Sequence, residues 1–288
     1  MVLIIPNTGI ANHILGGDVF YEHISGKKYK VKIRIFRDCN ECSFGGFGGG
    51  SSNDTCADLE SISIYNKNNG VLLSSISVTR ESYKDITPVC NAITSSCGSN
   101  PGINYGIEEH WFYSIVDFTS FSGVCNFEIG VKMSSRSTDI NENNEAQHYY
   151  NNAILNVCKV PNNNSAKINA SPLQIVYLNE LVKYNIEASD KDGDSMSYKL
   201  MKAKISIDKF IEYPSTMSDK KPLTVKPPGV IFDNKVGELS FTPFKLGESG
   251  VFVIEITEHR KINGVMQVVG VVRSDVQFYV ANSPGNSP

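Results

Sequence analysis

The chain has 288 residues, 41% hydrophobic and 20% charged, with a formal net charge of −3 at pH 7. That length suits about two domains, and the composition supports a packed core rather than a disordered chain. No basic field exists to draw nucleic acid, and no apolar run is long enough to span a bilayer.

The opening run, Met1-Val2-Leu3-Ile4-Ile5, is apolar but lacks a basic flank and a full-length hydrophobic segment. It does not read as a signal peptide as it stands, so a mature or trimmed chain is expected. An exposed apolar strand invites edge pairing. The run therefore reads either as a capped edge strand or as a strand added to a neighbour's sheet.

Asp18 to His23 is the first strand candidate. Lys28 to Phe36 alternates cleanly, with Tyr29, Val31, Ile33 and Ile35 on one face, as a half-buried antiparallel strand does. The glycine-dense segment Phe44 to Ser52 has no closing Lys-Ser/Thr and no helix after it. It reads as a flexible surface loop rather than a phosphate cradle. Leu59 to Tyr65 alternates again, and Asn68-Asn69-Gly70 turns it into Val71 to Val78. His110 to Phe118, Phe127 to Met133 and Ala153 to Cys158 are further strand candidates. Pro161-Asn162-Asn163-Asn164-Ser165 breaks the pattern and marks a domain boundary. Beyond it, Lys183 to Ala188, Met196 to Leu200 and Val251 to Thr257 alternate. Asn263-Gly264 then leads into Val265 to Val272 and Val276 to Val280. Asn-Gly between alternating runs is a strong hairpin signal. Many short strands with Gly, Pro and Asn turns predict an all-β protein of two tandem β-sandwich domains, residues 1–160 and 161–288.

Seven cysteines fall at positions 39, 42, 56, 90, 97, 125 and 158. A zinc site would want paired CxxC units or His ligands at set spacing, and Cys39-Asn40-Glu41-Cys42 is a lone CxxC. Disulfides, and with them an oxidising, exported location, are the preferred reading. The expected bonds are Cys90–Cys97 across a local polar loop, Cys125–Cys158 between two strands, and one of Cys39 or Cys42 to Cys56. Seven is odd, so one thiol is left over or pairs between chains.

Asp190-Lys191-Asp192-Gly193-Asp194-Ser195 joins two alternating segments. Carboxylates at every second position cannot neutralise one another, so either water solvates Asp190, Asp192 and Asp194 or a hard cation collects them. Calcium, with about six to eight oxygen ligands and loose geometry, is the natural cation. The loop is not an EF-hand, because Ser195 stands where that loop needs Gly and Met201 where it needs Glu.

Glu108-Glu109-His110 is the most enzyme-like cluster, since carboxylates with a histidine suit acid–base work. Adjacent strand residues point to opposite faces, so Glu109 and His110 cannot line one site without a bulge. No nucleophile elbow, HExxH or Walker loop is present, and a non-enzymatic protein is expected. Trp111, Phe112 and Tyr113 offer aromatic faces. Trp111 and Tyr113 are candidate ligand-binding residues for a sugar ring, the basis of an alternative reading as a carbohydrate-binding module of surface glycans.

Several of these segments, in order, resemble a repeat unit of large exported cell-surface proteins of Bacteroidetes bacteria. The resemblance rests on Ala11 to Tyr21 with its His13 and Gly16-Gly17, and on Tyr29 to Cys39 ending in Phe36-Arg37-Asp38-Cys39. It continues through Met133 to Ile140, Asn169-Ala170-Ser171-Pro172, the Asp190 to Ser195 loop and the closing hairpin Glu258 to Val265. It implies a second domain of Ig-like, cadherin-like or PKD-like type, and an adhesive or gliding-motility-associated role. Other repeats or subunits of a surface assembly would then be its partners. Ser134-Ser135 stand where that family carries a Cys pair, so its disulfide scheme does not transfer. The family's C-terminal sorting domain is not in this sequence, which implies a fragment or a partner component. The combined expectation is an extracellular structural or adhesive module, with calcium at the acidic loop. The polymerising subunit of an appendage is a further alternative.

Overall fold

The computed structural model describes residues 14–39, 43–44, 55–56, 59–87, 95, 97, 106–133, 136 and 148–283, with backbone alone for 43–44 and 55–56. Met1 to Ile5, the glycine-dense loop apart from Phe44, Cys42, Cys90 and Ser134-Ser135 lie outside the described residues.

Period-two alternation builds nearly everything that is described. In chain order the first strands are β1 (Ile14–Ser25), β2 (Lys28–Asp38), β3 (Ser43–Phe44), β4 (Thr55–Cys56), β5 (Ser61–Asn66), β6 (Leu72–Ser77) and β7 (Thr79–Asp85). Then come β8 (Ile107–Asp117), β9 (Asn126–Met133), β10 (Tyr149–Asn156), β11 (Lys167–Ile168), β12 (Leu173–Tyr177) and β13 (Val182–Asn185). The last are β14 (Ala188–Ser189), β15 (Ser195–Met201), β16 (Ile231–Asp233), β17 (Glu238–Phe241), β18 (Ser249–Ile262) and β19 (Val265–Ala281). In β2, Tyr29, Val31, Ile33 and Ile35 are all fully buried, as its alternation requires. The β18–β19 turn has positive φ at both Asn263 and Gly264, the backbone that two-residue hairpins demand.

The protein is all-β, with one large sheet ordered β6-β5-β9-β10-β19-β1-β2-β8-β7. β18 and β12 also pair with β19, and β15 pairs with β18. A separate three-stranded sheet runs β13-β17-β16. β19 is the hub. One edge pairs with β18 along almost its whole length. The other edge meets β10 at Gly270–Val271, β1 at Ser274–Asp275 and β12 from Gln277 to Ala281. The sheet thus runs across the 160/161 position, and one hydrophobic core holds residues from both sides of it, Ile33, Phe127 and Leu155 with Phe241, Phe252 and Phe278.

Two sequence expectations change shape. Val265 to Val272 and Val276 to Val280 form one strand, because the charged residues between them are buried and paired rather than exposed in a turn. Arg273 binds Glu255 Oε2 at 2.6 and 2.9 Å, and Asp275 binds Arg136 at 2.5 Å. The Pro161–Ser165 stretch does not behave as an exposed linker. Asn163, Asn164 and Ser165 are buried, and their polar groups are bonded to neighbouring elements.

Gly17 shows why β1 opens on glycines. A Cβ there would run into the Arg34 carbonyl oxygen and the Tyr149 hydroxyl. Arg34 reaches the same region, donating to Asp18 Oδ2 from Nε at 2.8 Å and from Nη2 at 2.5 Å. It also donates to the carbonyls of Ile168 and Ala170. A guanidinium with a single buried carboxylate beside it thus links β1 and β2 to the chain beyond the 160/161 position.

Candidate functional site

The densest polar constellation lies where the acidic loop, the 161–166 strap and the end of β18 meet. Asp190 shapes the loop. Its Oδ1 accepts from the amides of Asp192 at 2.9 Å and Asp194 at 2.8 Å, a local turn that Asp makes readily. Gly193 supplies the left-handed residue at φ 80°. The loop thereby presents all three carboxylates to β18 and the strap.

Arg260 of β18 collects two of them. Its Nε and Nη2 donate to the two oxygens of Asp194 at 2.5 and 2.7 Å, and Nη2 lies 3.1 Å from Asp192 Oδ2. Such a fork-to-carboxylate pair is among the stronger charge-assisted bonds. Hydrogen bonding to Asp194 raises the Arg260 pKa further. Asp192 also accepts from Asn164, from the amide at 2.7 Å and from Nδ2 at 2.8 Å. Burial pushes Asp192 upward, but the Asn164 and Arg260 bonds outweigh it and hold it below the usual carboxylate range.

Asp190 and Glu258 have no such cation. The carboxylate oxygens of Asp190, Asp194 and Glu258 converge to within 4.8 Å of one another. Asp190 Oδ2 is buried with no hydrogen-bond partner, and burial, with Asp194 next to it, raises Asp190. Glu258 is fully buried. It accepts from the Ala166 amide at 2.5 Å and from Asn163 Nδ2 at 2.8 Å. Neutral donors do not offset its desolvation, which with Asp190 and Asp194 nearby pushes it up to about 7. An extra β19 residue at the Glu258/His259 register shift accompanies this inward placement, and bulges re-aim side chains in this way. A Cβ on Gly270, opposite Glu258, would overlap Glu258 Oε2 and the Tyr21 hydroxyl.

The strap is held from the other side by β1. Ser165 and Tyr21 exchange bonds at 2.9 Å, with the Tyr21 amide donating to Ser165 Oγ and the Ser165 amide donating to the Tyr21 carbonyl. The His23 amide donates to Asn164 Oδ1 at 3.0 Å, and Tyr29 Oη donates to the Pro161 carbonyl at 2.6 Å. Asn163, Asn164, Glu258 and Arg260 were not singled out as site residues by sequence reasoning. The available signal was the run of three Asn facing an acidic loop. A polar run reads as solvated until its partners are known.

The other candidate residues are spread elsewhere. Trp111 and Tyr113 share one face of β8, partly exposed, 2 residues apart. Each ring is faced by a cation, Arg34 at 5.6 Å from the Trp111 centroid and Lys30 at 4.4 Å from that of Tyr113, and Phe20 stacks on Trp111. Alternation puts Glu108, not Glu109, beside His110. Both are buried, with Glu108 Oε2 2.9 Å from His110 Nε2. Arg37 donates to that same oxygen at 2.9 and 2.6 Å. Burial raises Glu108, but His110 and Arg37 prevail and hold it low. Arg37 is therefore a buried partner of β8.

Cys97 is bonded to Cys39, not to Cys90, and Cys125 is bonded to Cys158. Cys97 is drawn away from Cys90, its expected local partner, because β2 and β8 are adjacent. Cys39 continues β2 and donates its amide to the Gly106 carbonyl just before β8, which holds Cys39 beside the start of β8. That bond also removes Cys39 from any pairing with Cys56, whose side chain lies outside the described residues.

No protein-family model matches this chain, and no curated protein does. Among the described residues, no helix is long and apolar enough to cross a membrane.

Proposed function

We propose that the protein is a non-enzymatic structural and adhesive module of an exported cell-surface protein or filament. The observation that carries this reading is β19. By pairing in turn with β10, β1 and β12 on one edge and β18 on the other, it makes strands from both ends of the chain parts of one ladder. A load carried into β1 or β12 would then pass to β19 through their ladder hydrogen bonds. The Cys39–Cys97 and Cys125–Cys158 bonds support an oxidising compartment. Within this reading residues 161–288 form the Ig-like or cadherin-like part. Its sheet β13-β17-β16 faces β18 and β19 through Tyr184, Phe241, Phe252 and Phe278, in edge-on or tilted contacts of 5.2 to 5.7 Å.

Calorimetry tests the mechanical unit. A single transition with equal calorimetric and van't Hoff enthalpies is expected; two resolved transitions would refute it. Protease shaving of intact cells, followed by non-reducing peptide mapping, tests the location. Recovery of both disulfides from surface-released peptides is the expected result, and free thiols at all four positions would remove the exported reading.

A second reading is favoured by the unpartnered, buried Asp190 Oδ2. Four carboxyl groups, Asp190, Asp192, Asp194 and Glu258, face one guanidinium, so further positive charge fits. A proton on Glu258 supplies it at low pH. A divalent cation held by Asp190, Asp194 and Glu258 supplies it otherwise, and an all-oxygen donor set selects calcium. The cation would pin the acidic loop to β18 and so stiffen the strap.

A further inference from the structure

The nine-strand path of the large sheet from β6 to β7 ends in two strands of opposite character. β7, Thr79–Asp85, carries Arg80, Glu81, Lys84 and Asp85, the charges by which natural edges refuse a partner. β6, Leu72–Ser77, reads Leu-Leu-Ser-Ser-Ile-Ser and has no charge and no proline. Among the described residues it pairs only with β5. Leu72 is 53% exposed and Val71, just before it, 52%. Leu73, Ile76 and Val78 pack against the core but are only partly covered. An unprotected edge with a half-open apolar row beside it is a template for one more strand.

The same chain carries a segment that suits it. Val2-Leu3-Ile4-Ile5 is apolar, mostly β-branched and bounded by Pro6, and residues 1–13 contain no Asp, Glu, Lys or Arg. Apolar side chains from such a segment would cover Leu73 and Ile76, and its backbone would meet the amides and carbonyls on the β6 edge away from β5. β1, which follows this segment, is separated from β6 by four strands in the sheet order, which favours the β6 of another molecule over its own.

We propose that residues Val2–Ile5 of one copy add as a strand to the β6 edge of a second copy, so that the protein assembles head to tail. Such an interface is heterologous and generates open filaments unless the rotation closes. The inference goes beyond the surface-module reading and does not need it. Calorimetry and surface shaving test that reading, and assembly mass tests this one.

The experiment uses the full chain, with light scattering over a wide concentration range. The expected result is a series of species at multiples of 31.7 kDa. Ile4→Asp in the donor segment and Ser75→Lys on the exposed edge should each return the mass to that of one chain, with the melting temperature unchanged. A photo-crosslinker at position 4, in a mixture of isotopically light and heavy protein, should join light chains to heavy ones at peptides containing residues 72–77. A wild-type monomer at every concentration, an assembly that survives both variants, or crosslinks confined within one chain would each overturn the proposal.

Discussion

Glu128 and Glu258 are both fully buried glutamates on strands of the same sheet, and they end in opposite states. Glu128 on β9 meets Lys67 Nζ at 2.8 Å and Lys204 Nζ at 3.4 Å. Burial pushes it up, yet the lysines win and hold it below its ordinary range. Among the described residues Glu258 accepts from the Ala166 amide and Asn163 and has carboxylates rather than cations beside it, and it rises to about 7. Burial raises both, and the sign of the nearest partner decides which species exists at neutral pH. One carboxylate is a fixed strut. The other is a site still open to a proton or a metal.

The largest effect should come from making Glu128 more like Glu258. Lys204→Met removes a buried cation that also bonds the Ile207 carbonyl at 2.7 Å. It should cost about 3 kcal/mol in urea unfolding at neutral pH, as breaking a buried pair does. A loss under about 1 kcal/mol, the range of an exposed pair, would erase the distinction.

Next in size is the pH dependence in EDTA. Glu258 has a folded value of about 7 against 4.5 for the free side chain. Its preference for the proton therefore stabilises the fold fully below 4.5 and is lost as pH rises through 7. By linkage this lowers stability by up to about 3 kcal/mol across that window. Glu128 acts with the opposite sign, contributing above 4.5 and losing its contribution as pH falls through its depressed value. Glu258→Gln should flatten the 4.5–7 slope and leave the acid limb intact. An unchanged slope would place the titration elsewhere.

The smallest effect concerns calcium. Protons and the cation compete for the same carboxylates, so added calcium should stabilise more at pH 8 than at pH 6. Near 100 Kd the gain is about 2.7 kcal/mol, a rise of several degrees in Tm, and Asp190→Asn should remove most of it. Extracellular sites reach Kd values of about 10⁻⁴ to 10⁻³ M, so the titration must extend to several millimolar. A melting curve indifferent to calcium at both pH values would leave the proton as the sole occupant.

Strand positions could be read from alternation because each strand announces its own buried face. The β2 row Tyr29, Val31, Ile33 and Ile35 and the Asn263-Gly264 turn are local facts. The partners of Asn163, Glu258 and Arg260 are not local. Asn163 to Glu258 spans the chain beyond the strap, and nothing in either neighbourhood names the other. The Cys39–Cys97 bond was hidden in the same way, since it depends on β2 lying beside β8. Asp190, Asp192 and Asp194 could be picked out as a group because their spacing is local. That an arginine would reach two of them could not.

The pairing of Gly17 with Asp275 has a kinetic consequence. The central strand of the sheet follows all the other described strands, so β1, already paired with β2, and β10, already paired with β9, each lack a second neighbour until β19 has emerged. Contacts of such long sequence separation fold slowly. During synthesis β1 to β18 therefore emerge before their hub, and the sheet stays open until β19 follows. Under the proposed export, a channel that accepts only unfolded chains would take up β1 to β18 before β19 closes the sheet.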